Sequence, residues 1–313
     1  MLFKQFTAVF KNSFSICTGD PFFLVMKLSM LVFMLLASSM PSLGRGEALR
    51  LIRDQTHSII FISGALVVVF GLIRVVTDDI RRGAGSVLMS RPISGLVLLS
   101  GKLAGVLASV GLLFISGAAA YLWLTELQYG AEMNISSLVT YILVIVFALL
   151  AGSARQYMFG TNFSKYSSCA LSVIFVIGLS VRYLAGDKSQ FDLVGLPSIA
   201  LLFLAMIAFA SVVLVLAVVF DSTLVLAGSI IVFFGGLLAK YFFESVIGGS
   251  LGDALASLVP NWQIFWVLEK LGVGDVVTLA YCLQCAAQSL LLAAFYLVVA
   301  IIFFEKIEIK GVA

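Results

Sequence analysis

The chain has 313 residues, of which 62% are hydrophobic and 11% are charged, with a mean hydropathy of +1.15. An ordinary soluble domain is about 25% charged, so this composition excludes a soluble globular protein of the usual kind. The formal net charge of +3 is too small to indicate a nucleic-acid partner. Several apolar runs reach the roughly 18–25 residues that cross a bilayer. We therefore expect an all-α, polytopic helical membrane protein with one transmembrane domain over residues 1–313.

Residues 1–20 are predicted to form an amphipathic helix that lies in the membrane interface. Its aromatic residues recur at spacings of three or four, namely Phe3, Phe6, Phe10 and Phe14. Its lysines fall on other faces, which is typical of an interfacial helix. Asp20 and Pro21 are then expected as the N-cap and the first residue of the next helix. A cleaved signal peptide is disfavoured, because its polar amino-terminal part would be about twenty residues long.

Eight segments are long and apolar enough to be predicted as membrane spans. They are 22–40, 58–77, 98–124, 137–154, 168–185, 196–220, 222–243 and 277–304. Six spans is the alternative, because two of these segments are weak candidates. The run 168–185 is short and contains Arg182, and only Asp221 separates the sixth segment from the seventh.

The distribution of Lys and Arg predicts the orientation in the membrane. A cytoplasmic N-terminus places ten of them inside: Lys4, Lys11, Arg81, Arg82, Arg91, Lys102, Arg155, Lys165, Lys306 and Lys310. It places six outside: Arg45, Arg50, Arg53, Lys188, Lys240 and Lys270. This bias favours both termini and the 78–97 segment in the cytoplasm. The expected location is the plasma membrane, specifically the bacterial inner membrane.

No motif in the sequence predicts catalysis, a cofactor site or a metal site. The nearest match to a phosphate-binding loop is 95–103, where five residues separate the glycines instead of four and Leu103 replaces the Ser or Thr that would hold magnesium. His57 is interpreted as an interfacial residue. Cys282 and Cys285 are interpreted as small buried apolar residues.

Three basic residues lie inside predicted spans, where an ionisable group is a functional hypothesis by default. These are Lys27, Arg74 and Arg182. Each is close enough to a span end for its long side chain to snorkel to the interface, which is the interpretation we favour.

Small residues in the third span predict a close helix contact. Gly101 and Gly105 have the four-residue spacing that lets helix backbones approach each other. Packing within the chain is favoured over a dimer seam.

Residues 244–276 are the second polar-leaning segment. Trp262 and Trp266 suit an interfacial helix or a re-entrant turn on the outer side. A functional gate and a plain interfacial loop are equally compatible with this composition.

The segment 78–97 is the most distinctive part of the chain. It is charged and glycine-containing, and it separates two long apolar runs. Two aspartates open it, small residues follow at 83–86, and Val87, Leu88 and Met89 form an apolar patch. Pro92 ends the predicted short helix, because the residue before a proline disfavours helical geometry. Such a helix is suited to a groove on another protein, although a solvated loop fits the composition as well.

The motif within this segment resembles the cytoplasmic loop of ABC-transporter permeases of the exporter-like type 2 class. That loop typically reads acidic-x-x-x-Gly-Thr-x-x-x-Leu-Leu-Ser-Arg-Pro, with a Gly-Lys pair opening the next span. The matching positions are Asp79, Gly83, Ser90, Arg91, Pro92 and Lys102. Ala84 replaces the usual Thr, and Gly95 stands where a basic residue is common.

The resemblance extends to other parts of the chain. The helix 1–20 looks like the elbow helix of that family, Pro260-Asn261 resembles a Pro-Asn element, and 303–309 resembles the closing segment. Common members have six spans, so eight indicates a longer subfamily.

The resemblance implies a function and a set of partners. The loop 78–97 would be a coupling helix that docks on a separate ATPase subunit through Asp79, Arg82, Gly83, Ala84, Leu88, Ser90, Arg91 and Pro92. ATP and magnesium would be bound by that partner, so no cofactor is expected in this chain. A second permease copy, identical or related, and membrane lipid would complete the assembly, which would export a substrate. An ion-gradient-driven secondary transporter and a non-transport scaffold subunit are the alternatives.

Overall fold

The computed structural model describes residues 2–39, 45–81, 94–127, 134–241, 260–268, 271 and 277–312. Within these ranges the regular structure is helical, without strands. The long helices in chain order are α1 (Leu2–Gly19), α2 (Pro21–Ser38), α3 (Arg45–Leu72), α4 (Gly95–Leu127), α5 (Ile135–Phe159), α6 (Phe163–Ala185), α7 (Leu196–Val219), α8 (Ser222–Tyr241) and α9 (Leu279–Val312).

Eight helices in the described ranges, α2 to α9, are long and apolar enough to cross a membrane. They coincide with the eight predicted segments, so the all-α polytopic fold is confirmed and the six-span alternative is unnecessary. The tight sixth-to-seventh connection is real. Helix α7 ends at Val219 and α8 begins at Ser222, and the Asp221 carboxylate accepts a hydrogen bond from the Leu224 amide at 3.3 Å.

The helices form a buried centre and an outer layer. The buried share of the most apolar window is 67% in α7 and 61% in both α3 and α4, but 22–28% in α5, α6, α8 and α9. A mainly apolar helix that is exposed in an isolated chain has its outer face available to lipid or to another membrane protein. The architecture is therefore a core of α3, α4 and α7 with the remaining spans around it.

Helix α1 packs lengthwise against the first half of α4. A Cβ atom placed on Gly105 would lie 2.6 Å from the Ser13 Cβ and 2.9 Å from the Phe10 carbonyl oxygen. One on Gly101 would lie 2.9 Å from the Val9 side chain. The glycine pair therefore permits close packing within the chain, as expected, and these two residues are unavailable as a dimer seam.

The junction of α1 and α2 confirms the predicted cap. The Asp20 carboxylate accepts a hydrogen bond from the Phe22 amide at 2.9 Å, and Pro21 is the first residue of α2. On the phenylalanine face of α1, Phe3 is 80% exposed, and Phe6, Phe10 and Phe14 are half-buried. The helix itself is thus established, and its position in the membrane interface stays a prediction.

Replacing Gly105 with Ala is expected to lower the free energy of unfolding by about 1–3 kcal/mol, because the added methyl group meets the backbone of α1. The control is Gly111→Ala on the same helix, where the new Cβ would lie 3.7 Å from the Phe203 ring, an ordinary contact. That change should be neutral, or stabilising by up to about 1 kcal/mol through helix propensity. Chemical unfolding of the purified chain in detergent measures both, and equal stability of the two variants would contradict the packing.

Candidate functional site at the ends of the 78–97 segment

The predicted coupling residues fall mostly outside the described ranges. Asp79 is described, whereas the other seven lie outside: Arg82, Gly83, Ala84, Leu88, Ser90, Arg91 and Pro92. The chain is described up to Arg81 and again from Ser94. The site is therefore described through the residues on either side of the segment, which we call its two flanks.

The flank before the segment contains a widened helical turn. Helix α3 continues into a π-helical turn, Ile73–Thr77, and then an α-helical turn, Asp78–Arg81. A π turn interrupts the regular hydrogen-bond ladder and frequently marks a functional site. Here the Val75 carbonyl oxygen accepts a hydrogen bond from the Lys102 ammonium group at 2.6 Å. A side chain from α4 thus satisfies a carbonyl in the irregular turn.

Lys102 also joins the two flanks electrostatically. Its ammonium nitrogen lies 2.7 Å from the Asp79 carboxylate. The Lys102 side chain is 6% exposed and that of Asp79 is 36% exposed. The charge of Lys102 is thus buried and paired, and its place on the cytoplasmic side stays a prediction. Asp79 and Lys102, two positions of the motif, are therefore in direct contact.

Further contacts attach the first flank to other helices. The Thr77 hydroxyl donates to the Ala217 carbonyl oxygen of α7 at 3.0 Å. The Arg74 guanidinium lies 3.5 Å from the Asp20 carboxylate at the α1–α2 junction and 3.3 Å from that of Asp78. Arg74 is half exposed, so these pairs contribute little to stability, and its place near the span end agrees with the expectation from sequence.

The second flank lies against the last span. A Cβ atom on Gly95 would lie 3.4 Å from the Phe304 ring of α9. The two flanks together therefore contact α7, α9 and the α1–α2 junction as well as each other. A displacement of the segment between them would act on all of these elements.

Arg182 forms a buried ion pair that the sequence analysis missed. Its guanidinium donates to the two Glu126 carboxylate oxygens at 2.5 and 3.1 Å. Glu126 also accepts a hydrogen bond from the Ser137 hydroxyl at 2.5 Å. The snorkelling interpretation of Arg182 is therefore wrong. The signal was an acidic residue at the end of an otherwise apolar α4, opposite an arginine in α6.

A second polar cluster joins α3, α4 and the connection before α7. The Arg53 guanidinium donates to the Asp192 carboxylate at 2.6 and 3.0 Å, and the Tyr121 hydroxyl donates to the same carboxylate oxygen. The Asp192 amide donates to the Thr125 hydroxyl at 3.2 Å. Arg53, expected among the outer loop charges, is buried here.

His57 is fully buried, so its interpretation as an interfacial residue is wrong. One ring nitrogen lies 2.7 Å from the Arg53 carbonyl oxygen and the other 2.7 Å from the Ser198 hydroxyl. The hydroxyl also donates to the Gly195 carbonyl oxygen at 2.6 Å. Ser198 is 1% exposed, which leaves no access for a substrate, so this serine–histidine contact is structural.

Lys27 is also buried, and the snorkelling interpretation fails for it as well. Its ammonium group donates to the Ser168 carbonyl oxygen at 2.7 Å and to the Ser172 hydroxyl. Ser172 in turn lies 2.9 Å from the Ser116 hydroxyl of α4. Both partners of the ammonium group are on α6, so this lysine ties α2 to α6 directly and to α4 through Ser172.

Residues 260–268, the described core of the predicted segment 244–276, pack into the bundle. Trp262 is 2% exposed and its indole donates to the Phe233 carbonyl oxygen of α8 at 2.9 Å. The Gln263 side-chain amide donates to the Leu237 carbonyl oxygen at 3.0 Å. This part of the segment therefore folds back against α8 instead of lying on the surface.

The two cysteines of α9 behave largely as expected. Cys285 is buried and Cys282 is partly buried. Within the described ranges, His, Cys, Asp and Glu side chains form no group of three or more that could hold a metal ion.

No family model, curated protein or solved structure matches this chain. The functional interpretation therefore depends on the residues themselves and on the contacts just described.

A double-mutant cycle over Asp79→Asn and Lys102→Met is expected to give a coupling energy of about 1–3 kcal/mol. Each single change leaves the other group in a mostly buried site without its partner. Chemical unfolding in detergent micelles supplies the four free energies.

The control cycle uses Arg50→Gln and Asp54→Asn, whose groups lie 4.0 Å apart with side chains 64% and 46% exposed. Its coupling should stay below about 0.5 kcal/mol. Equal coupling in the two cycles would show that the Asp79–Lys102 contact does not hold the flanks together.

Proposed function

We propose that this membrane protein is the permease subunit of an ABC transporter, which exports a substrate with ATP hydrolysed by a separate subunit. The observation that carries the proposal is the 79–102 motif together with its geometry. Asp79 and Lys102 are the matching motif residues that lie within the described ranges, and their side chains meet at 2.7 Å. A segment held at both ends by one buried contact is suited to work as a lever.

The flanks supply a route from the segment to the spans. A partner that displaces the segment would exert a force on Asp79 and Lys102. Lys102 would transmit it to the π turn through its hydrogen bond to the Val75 carbonyl oxygen. The Thr77–Ala217 hydrogen bond would carry the displacement to α7, the most buried span. Packed bundles respond to such loads by changing between discrete arrangements. This chain would thus couple the movement of the ATPase to its own spans and provide the path of the substrate. ATP and magnesium would be bound by the ATPase.

The outer layer supplies surfaces for the other proposed partners. Helices α5, α6, α8 and α9 have large exposed apolar faces, with Phe147 59%, Ile231 71% and Leu291 72% exposed. Bilayer lipid and a second permease copy would cover them. The proposed location is the bacterial inner membrane with both termini in the cytoplasm.

A secondary transporter driven by an ion gradient is the second candidate. The observation in its favour is the buried Lys27 ammonium group, whose hydrogen bonds go to a carbonyl oxygen and a hydroxyl. Intramembrane ionisable groups serve ion pathways in such proteins. Uptake or efflux by proteoliposomes of the chain alone under an ion gradient, without ATP, would favour this candidate over a permease and over a non-transport scaffold.

The orientation is tested with single cysteines at the two ends of α6, in a background without the native four. Thr161→Cys and Ser189→Cys should react with an impermeant maleimide from opposite faces of the membrane, with Ser189→Cys labelled in intact cells. Burial raises the pKa of native Cys17 to about 12, so that thiol should be unreactive even where it is retained. Labelling of Thr161→Cys in intact cells would reverse the orientation.

The partnership is tested at Gly83, whose small size the proposed docking requires. Gly83→Trp should insert normally but reduce the amount of a phosphate-loop ATPase that co-purifies in mild detergent on the order of tenfold. Arg91→Glu should weaken the same contact by about 1–3 kcal/mol. Mass spectrometry and ATP hydrolysis of the purified complex measure both effects.

The matched control is Arg50→Glu, at the opposite end of the bundle, which should leave the association unchanged. Hydrolysis of ATP by the isolated chain, or full coupled activity in Gly83→Trp, would overturn the proposed function.

A further inference from the structure

A cavity of about 890 Å³ lies at the end of the bundle away from the 78–97 segment. Its walls come from α3, α8, the 261–267 stretch and the start of α9. Pockets for small organic molecules usually measure about 300–1,000 Å³, so this one has room for a sizeable ligand. One of its walls is α3, the helix that continues into the π turn.

Aromatic side chains are prominent in its lining. Six of them line it: Phe61, Phe233, Phe234, Trp262, Trp266 and Tyr281. The Phe61 ring centroid lies 5.4 Å from that of Phe233 and 6.1 Å from that of Trp266. The Trp262 indole N–H and the Tyr281 hydroxyl donate to carbonyl oxygens of the wall, at 2.9 and 2.5 Å. The rings therefore present mainly apolar surface to the cavity.

Polar groups in the lining are few and uncharged. Among the described lining residues, none carries a charge at neutral pH. The Ser58 hydroxyl donates to the Asp54 carbonyl oxygen, and the Gln263 side-chain NH₂ group donates to the Leu237 carbonyl oxygen. The side-chain oxygens of Ser58 and Gln263 can therefore accept a hydrogen bond from a ligand. The Asn261 side-chain oxygen accepts a hydrogen bond from the Gln263 backbone amide. The Asn261 NH₂ group is left to donate to a ligand. These groups match a hydroxyl or an ester, not an ion.

The cavity also reaches the lateral surface of the bundle. Three apolar lining residues of α3 and α8 are partly exposed, with Ile62 at 52%, Phe234 at 57% and Leu237 at 36%. Because these helices have the length and apolarity of spans, the surface on which these side chains lie faces hydrocarbon. A ligand can therefore enter from the bilayer.

We infer that this cavity binds an uncharged amphiphile, with an apolar body against the aromatic walls and an uncharged hydrogen-bonding head near Ser58, Asn261 and Gln263. A charged head would lose its hydration without gaining a counter-charge from the described lining, which is costly. The inference deepens the proposed function, since such an amphiphile would be the transported substrate, but binding itself requires no ATPase.

Photolabelling tests the inference directly. The purified chain in phosphatidylcholine nanodiscs is irradiated with a monoacylglycerol that carries a diazirine on its acyl chain. Peptide mass spectrometry should find saturable labelling of the stretches that contain Phe61 and Trp262–Trp266. The fatty acid with the same chain and diazirine should label them at least about fivefold less, since its carboxylate is charged.

Adjacent residues of α8 supply matched variants. Leu237→Trp fills the cavity and should reduce labelling at least about fivefold. Leu238 is 61% exposed and does not line the cavity, so Leu238→Trp should leave labelling unchanged. Thermal unfolding reports whether each variant folds, and Ile62→Trp is the second filling variant should Leu237→Trp fail to fold. Equal labelling by the two probes, or equal labelling of Leu237→Trp and Leu238→Trp, would show ordinary lipid contact and overturn the inference.

The outcomes separate this inference from the proposed function. Specific labelling without a co-purifying ATPase would keep the binding site and reject the permease assignment. Association with the ATPase without specific labelling would reject the amphiphile site alone.

Discussion

A charged group inside a membrane bundle must find its partners within the protein, because the hydrocarbon supplies none. This constraint accounts for the ion pairs that join different helices in the described ranges. Asp79 and Lys102 join the turn after α3 to α4, Glu126 and Arg182 join α4 to α6, and Asp192 joins Arg53 of α3 to Tyr121 of α4. Each contact fixes one helix against another at a particular height, because the polar groups involved have few other partners within the bundle. Helix α4 takes part in all three, so it is the reference against which the other spans are placed.

Helix α3 connects the two ends of the molecule. Its Ser58–Ile62 stretch lines the aromatic cavity, and its continuation through Ile73–Thr77 holds the flank of the 78–97 segment. About fifteen residues separate Ile62 from Thr77, which is about 22 Å along a helix. A helix is stiff over that length, so a shift at the π turn reaches the cavity as a rotation or a translation of the same element. The cavity and the flank of the 78–97 segment are therefore connected by one helix, without a long chain of side-chain contacts.

Sequence patterns predicted what is local in this fold. Hydropathy located the spans, the Asp20–Pro21 pair located a helix start, and the spacing of Gly101 and Gly105 located a close contact. What the patterns could not supply is the identity of distant partners. Lys27 finds Ser168 at a separation of 141 residues, and His57 finds Gly195 at a separation of 138. An isolated basic residue in a span has the same local pattern whether it snorkels or is buried, so only the three-dimensional arrangement distinguishes the two.

The π turn and the Asp79–Lys102 contact depend on one side chain. A wider turn adds one residue to the helix and leaves a backbone carbonyl that ordinary α-helical bonding does not satisfy. Lys102 satisfies Val75 while also pairing with Asp79, so the irregular turn is stabilised by the same side chain that joins the flanks. Displacing Lys102 would remove both interactions at once and favour a return to regular helix, which shifts everything beyond the turn. Under the proposed permease function, this turn would be the element with two accessible arrangements that alternation between two states requires.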